Sequence, residues 1–171
     1  MHGNPRTAKQ KVYDVNTPDG RALWEEIRNH FPQREVIEIE LSRLKALALC
    51  AWLDKIEEEE SPDPELWRYP AQRIVVGRMQ RQLETRIQST AGDPIMRLSR
   101  SEALVLGEWA DRDALFERLT GELSTELLAL WDIYGRLEHE LFVEYSDRTY
   151  EARMERARTD VLRDRGSDTE P

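Results

Sequence analysis

The sequence predicts a mainly α-helical protein: two tandem strand-plus-helical-hairpin repeats packed with pseudo-twofold symmetry, with flanking N- and C-terminal helices. Three observations predict this. Apolar residues recur at i, i+3, i+4 and i+7 through most of the 171 residues, the spacing that places them on one helical face. Two short stretches, "VIEIEL" (36–41) and "IMRL" (95–98), interrupt that period, the first with strict strand alternation of Ile37, Ile39 and Leu41. The chain also repeats itself: "LSRLKALALCAWLDK" (41–55) returns as "LSRSEALVLGEWADR" (98–112).

Residues 1–16 are polar and read as a flexible arm, with "KVYDV" (11–15) a candidate short strand. Residues 17–32 read as a helix. Thr17 suits the N-cap, Pro18 the first helical position and Asp19 the positive helix end. Leu23, Trp24, Ile27 and Phe31 follow at helical spacing, and Pro32 stops the helix.

The first repeat, 33–92, opens with the alternating strand, and Ser42 caps a helix. That helix carries Leu49, Trp52, Leu53 and Ile56 on one stripe and Leu44, Leu47, Ala48 and Ala51 round the other side, a pattern that predicts burial on more than one face. "SPDPE" turns the chain and Pro64 starts a new helical stretch, which Tyr69-Pro70 interrupts. A long helix then runs from about 71 to 89 with Val75, Val76, Met79, Leu83 and Ile87 inward. The second repeat, 93–145, opens with "IMRL". Ser99 and Glu102 form the S-x-x-E capping box of the next helix, which ends by Gly121. Ser124 caps another, with Leu127, Leu130, Trp131, Tyr134, Leu137 and Leu141 at helical spacing. A terminal helix within 146–166 bears Tyr150, Met154, Ala157 and Val161, and 167–171 reads as a disordered tail.

A shift of 57 residues superposes eight of fourteen positions from Leu41 and Leu98 onward, including Ser42/Ser99, Arg43/Arg100, Trp52/Trp109 and Asp54/Asp111. Ordinary residue usage gives about one by chance. Further on, "VVGRMQRQL" (75–83) lies on "IYGRLEHEL" (133–141), with Gly77-Arg78 on Gly135-Arg136. Two copies are too few for a solenoid and fit a fused homodimer, with the two extended pieces pairing beneath the helices. Arg43/Arg100, Asp54/Asp111 and Arg78/Arg136 read as ion pairs within each unit. Glycine inside a helix costs about 1 kcal/mol against alanine, so Gly77 and Gly135 point to a close helix crossing.

The second copy, "LSRSEALVLGEWADR" with "LLALWDIYGRLEHEL" and "YEARMERARTDV", resembles a group of small uncharacterised bacterial helical proteins with an LSxxEAxVLxEWLxR helix. The resemblance covers about 95–162 and implies a helical fold. It brings no activity and no catalytic residue. The first copy departs from it at Lys45 and Ala51.

Composition narrows the function. The net charge is −9, which disfavours general nucleic-acid binding, since that affinity rests on phosphate neutralisation. Charge is unevenly placed: an acidic segment (35–66) precedes a basic one with Arg68, Arg73, Arg78, Arg81 and Arg86, which can neutralise its acidic neighbours. No secretion signal or apolar span is evident, so a cytoplasmic, non-membrane protein is expected. One cysteine, Cys50, excludes an intrachain disulfide, and its apolar surroundings read as an inert thiol. His2, His30 and His139 are scattered, and "EHE" (138–140) reads as a solvated helix face. No GxSxG or glycine-rich phosphate loop occurs. No metal, cofactor or catalytic residue is expected.

The leading expectation is therefore a non-catalytic protein-interaction or regulatory module, inhibitor- or antitoxin-like, whose partner is another protein. The alternative is nucleic-acid binding through an Arg73/Arg78/Arg81 helix face; an enzyme with an unrecognised carboxylate site comes third. The candidate interaction residues are Arg73, Arg78, Arg81, Arg136, Trp24 and Trp67.

Overall fold

A computed structural model describes residues 16–31, 33–58, 66–111, 124–146 and 148–165. The expectations for the N-terminal arm, the "KVYDV" strand, the turn at Pro64, the stop at Gly121 and the C-terminal tail fall wholly or mostly outside them. The chain divides into two compact units, Met1–Pro32 and Gln33–Pro171. The first contains α1 (Pro18–His30). Thr17 caps it, its Oγ1 accepting from Gly20 N–H at 3.1 Å, and Pro18 takes the first turn. Leu23, Trp24 and Ile27 are half-buried on its apolar stripe.

The second unit contains β1 (Val36–Glu40), α2 (Arg43–Glu58), α3 (Pro70–Ser89), β2 (Ile95–Ser99), α4 (Arg100–Ala110), α5 (Thr125–Glu140), α6 (Phe142–Tyr145) and α7 (Tyr150–Asp164). The fold is mainly helical around a small two-stranded sheet. The strands pair antiparallel, with Ile37 opposite Leu98 and Ile39 opposite Met96. Both alternate exposed and buried residues, so one face of the ribbon enters the core. The helices cover it, which a lone pair of strands requires.

The capping signals act as read. Ser99 Oγ accepts from Glu102 N–H, and the Glu102 carboxylate accepts from Ser99 N–H at 2.8 Å. Ser124 caps α5 by accepting from Leu127 N–H. Helix α2 packs on α3 and α5, α4 packs on the same two helices, and α7 lies across α4 and α3.

Two packing expectations are corrected. Helix α2 is not buried all round: Leu44 and Leu47 are 69% and 47% exposed, and Ala51 is exposed beside them. The helix enclosed on every side is α4, where Ala103 through Gly107, Trp109 and Ala110 are all buried. The two mid-helix glycines do not mark a crossing. A side chain at Gly135 would meet open space, and one at Gly77 only the Arg81 guanidinium at 3.7 Å. The close approach lies at Gly107 instead, where a Cβ would overlap the Tyr145 hydroxyl and sit 3.4 Å from its Cζ.

Candidate functional site

Two surfaces of the second unit stand out, one basic and one apolar. The basic one is a cleft of about 630 Å³ lined by Arg78, Arg81, Gln82, Thr85, Arg86, Ser89 and Arg97. Positions 78, 82, 85 and 89 recur at i, i+4, i+7 and i+11, so one stripe of α3 forms a wall. Arg97 comes from an outward position of β2.

The walls are fixed by paired contacts. Gln82 Oε1 accepts from the Arg97 N–H and its Nε2 donates to the Arg97 carbonyl, both at 2.8 Å. The amide thus ties α3 to β2. Arg78 donates to Glu102 at 3.1 Å, with both side chains about one-sixth exposed, which ties α3 to α4. Glu102 therefore serves both the capping box and the cleft. Arg97 pairs with Glu38 at 2.7 Å, where both partners are more than half exposed; such surface pairs contribute little. Arg81 and Arg86 meet no carboxylate among the described residues. The expected neutralisation of the basic segment thus reaches Arg78 but not these two.

The sequence-derived candidates scatter. Arg78 and Arg81 share the cleft, and Arg81 also lines, with Arg73, Glu57 and Arg165, the cavity beside it. Arg73 and Arg81 thus stay together, while Arg78 turns inward to Glu102. Arg136 pairs with Glu140 at 2.8 Å on its own helix. Glu140 is 1% exposed, so the reading of "EHE" as a solvated face holds for exposed Glu138 and His139 and fails for Glu140. Trp67 packs into the core, stacked on Trp109 at 5.8 Å between centroids and 13° between planes. Trp24 is half-buried on α1. The sequence reading missed Arg86 and Arg97 as cleft residues, although the 78-82-85-89 spacing and the outward register of Arg97 were visible.

The apolar surface is formed by α2 and α5. Leu44 and Leu47 on α2 are joined by Leu128 and Trp131 on α5, 37% and 46% exposed. Trp131 follows the helical spacing of Leu130 and Leu137, yet those two are buried and it is exposed. Lys45 donates to Asp132 at 2.5 Å and binds the two helices together beside these residues.

Reactive groups are muted. Burial pushes the Cys50 thiol up to about 11, with Glu84 and Asp54 adding to the shift. A cavity of about 260 Å³ is lined by Gly107, Asp111, Tyr134, Glu138, Tyr145 and Tyr150. Burial, and then the hydrogen bond to Asp111, raise the Tyr134 phenol to about 12. Burial raises Tyr145 and Tyr150 as well. None of these phenols is poised for proton transfer near neutrality. Among the described residues no cluster of three His, Cys, Asp or Glu side chains could hold a metal ion, and no helix is long and apolar enough to cross a membrane.

No protein-family model matches the chain, and neither a curated protein nor a solved structure matches it.

Proposed function

We propose that the protein is a non-catalytic interaction module, built by tandem duplication, that docks a helix of a partner protein on the α2/α5 face. The observation that carries this reading is the exposure of four large apolar side chains, Leu44 and Leu47 on α2 and Leu128 and Trp131 on α5, on two helices that pack together. Exposed apolar side chains gathered on neighbouring elements mark interaction sites.

The duplication supports the choice of occupant. A 57-residue shift maps Ile39 onto Met96, and those two residues are opposite one another in the ladder, where a twofold axis would pass. In each half the arginine of the L-S-R start bonds its own second helix, whereas Arg78, the other recurring arginine, crosses to Glu102 of the second half. Arg43 donates to the carbonyls of Ile87 and Thr90 at the end of α3, and Arg100 to the carbonyl of Glu140 at the end of α5. Cations at helix C-termini are favourable. The recurring aspartates are likewise held within their halves, Asp54 by Gln80 and Asp111 by Tyr134.

The same mapping carries α2 onto α4, and α4 bears a helix that α2 lacks among the described residues. Ser101 donates to Asp160 of α7, Leu104 lies beside Ala157, and Glu108 holds Arg158. The corresponding residues of α2 are Leu44, Leu47 and Ala51, all exposed. Where the second half binds α7, the first presents a more apolar version of the same surface. An amphipathic helix with an i, i+3, i+7 apolar stripe, like Met154, Ala157 and Val161 of α7, fits such a face. Glu57, Glu58 and Glu126 at the ends of α2 and α5 favour basic residues flanking it.

The test is retention of partners from a lysate of the source cells by the full chain and by the Leu47→Asp/Trp131→Lys variant. The reading requires a protein held by the former and lost by the latter, with retention weakening at high salt. Identical retained sets would overturn it. Nucleic-acid binding through Arg73, Arg78 and Arg81 is disfavoured by the net charge of −9 and by the pairing of Arg78 with Glu102. A mobility shift abolished by charge reversal at all three would reinstate it.

A further inference from the structure

The basic cleft between α3 and β2 has no role in helix docking, and we infer that it is a binding site for a compact polyphosphate. Its charge is uncommitted where it matters: Arg81 and Arg86 are exposed and meet no carboxylate among the described residues. Arg97 is bound to Glu38 only by a solvent-exposed pair, which an anion can replace at little cost. Arg86 and Arg97 are thus available to one ligand, joined by Arg81 from the boundary with the neighbouring cavity, where its guanidinium lies by Gly77, and guanidinium groups match phosphate oxygens in bidentate geometry. The hydroxyls of Thr85 and Ser89 line the same space and add neutral donors.

The cleft is also preorganised. The Gln82 amide holds the backbone of Arg97 through two hydrogen bonds, and the Arg78–Glu102 pair holds α3 against α4. Walls fixed before binding reduce the ordering cost of the complex.

Size and surroundings select a compact ligand over a polymer. A volume of about 630 Å³ lies in the range of small-molecule sites. Glu38 and Glu102 stand beside the cleft through their partners Arg97 and Arg78, and the whole chain carries −9, so an extended phosphate backbone meets repulsion beyond the arginines. Among the described residues no aromatic side chain lines the space, so none of them offers a stacking surface for a base. The recognised feature is the run of phosphates itself, whether in an inorganic chain or at the end of a nucleotide.

Isothermal titration of the full chain with inorganic tripolyphosphate, in magnesium-free buffer, tests this. Parallel titrations use ATP, orthophosphate and a 20-residue oligothymidylate. Expected are one-to-one binding of tripolyphosphate, similar affinity for ATP, weaker binding of orthophosphate, and at least a tenfold loss in Arg81→Gln and in Arg86→Gln. Both variants are surface changes and should melt like the parent, and Arg73→Gln, outside the cleft, should bind normally. Absence of tripolyphosphate binding, or binding unchanged in both cleft variants, would overturn the assignment. So would tighter binding of the oligothymidylate with affinity that climbs with its length, which would return the cleft to nucleic acid.

Discussion

At the residue scale, Gly107 is where the packing tolerates least. It sits inside α4, where helix propensity alone predicts that Gly107→Ala stabilises by about 1 kcal/mol. The Tyr145 hydroxyl occupies the space of the added methyl, so the opposite sign is expected: a loss of about 1–3 kcal/mol from overpacking, read as a lower denaturant midpoint. Tyr145→Phe should restore it, because the oxygen removed is the clashing atom and has no hydrogen-bond partner where it lies buried. A double-mutant cycle without coupling would refute the contact. Cys50 gives a second check. With its thiol pushed up to about 11, the thiolate fraction at pH 8 is on the order of a thousandth, against roughly a quarter for a free thiol. Alkylation of the folded protein should therefore be at least a hundredfold slower than after denaturation, with the folded rate still rising above pH 10.

At the element scale, the two halves make opposite predictions for matched residues. Leu104→Ala, beneath α7, should cost about 2–5 kcal/mol. Leu47→Ala, its counterpart on the bare face, should change stability by no more than about 0.5 kcal/mol. Similar losses at both positions would mean that something in the isolated chain already covers α2. Arg158 fastens α7 by lying 3.8 Å over the Tyr69 ring and pairing with Glu108, which Gln72 also reaches. Arg158→Lys keeps the charge and loses the planar stacking and the two-pronged contact, so about 1–3 kcal/mol should be lost in thermal melts. Caps and strand pairing were legible in the sequence because each rests on a local rule: Ser99 with Glu102, and the alternation of Ile37 and Ile39. Burial was not legible where it depends on what a neighbour does. The all-round apolar pattern of α2 reads as central, yet among the described residues one face has no helix on it. Glu140 reads as solvated because its burial depends on Arg136 four residues back and on Arg34 about a hundred residues away in sequence.

At the scale of the whole molecule, the proposed duplication implies a division of labour. Lys45 against Glu102 and Ala51 against Glu108, the positions where the copies differ, fall where their surroundings differ. Glu102 and Glu108 anchor Arg78 and Arg158, while Lys45 turns to Asp132 and Ala51 faces outward. The basic cleft was only half legible, because Arg78 and Arg81 share a helix but Arg97 reaches them only through the sheet. The central claim is that the bare α2/α5 face holds a helix from another protein. The most direct measurement places a photo-crosslinking amino acid at position 47, with position 73 as control, and sequences the captured peptide. The account predicts a crosslink from position 47 alone, to a basic amphipathic helix of a different protein. No crosslink from position 47, or one to this same chain, would contradict it.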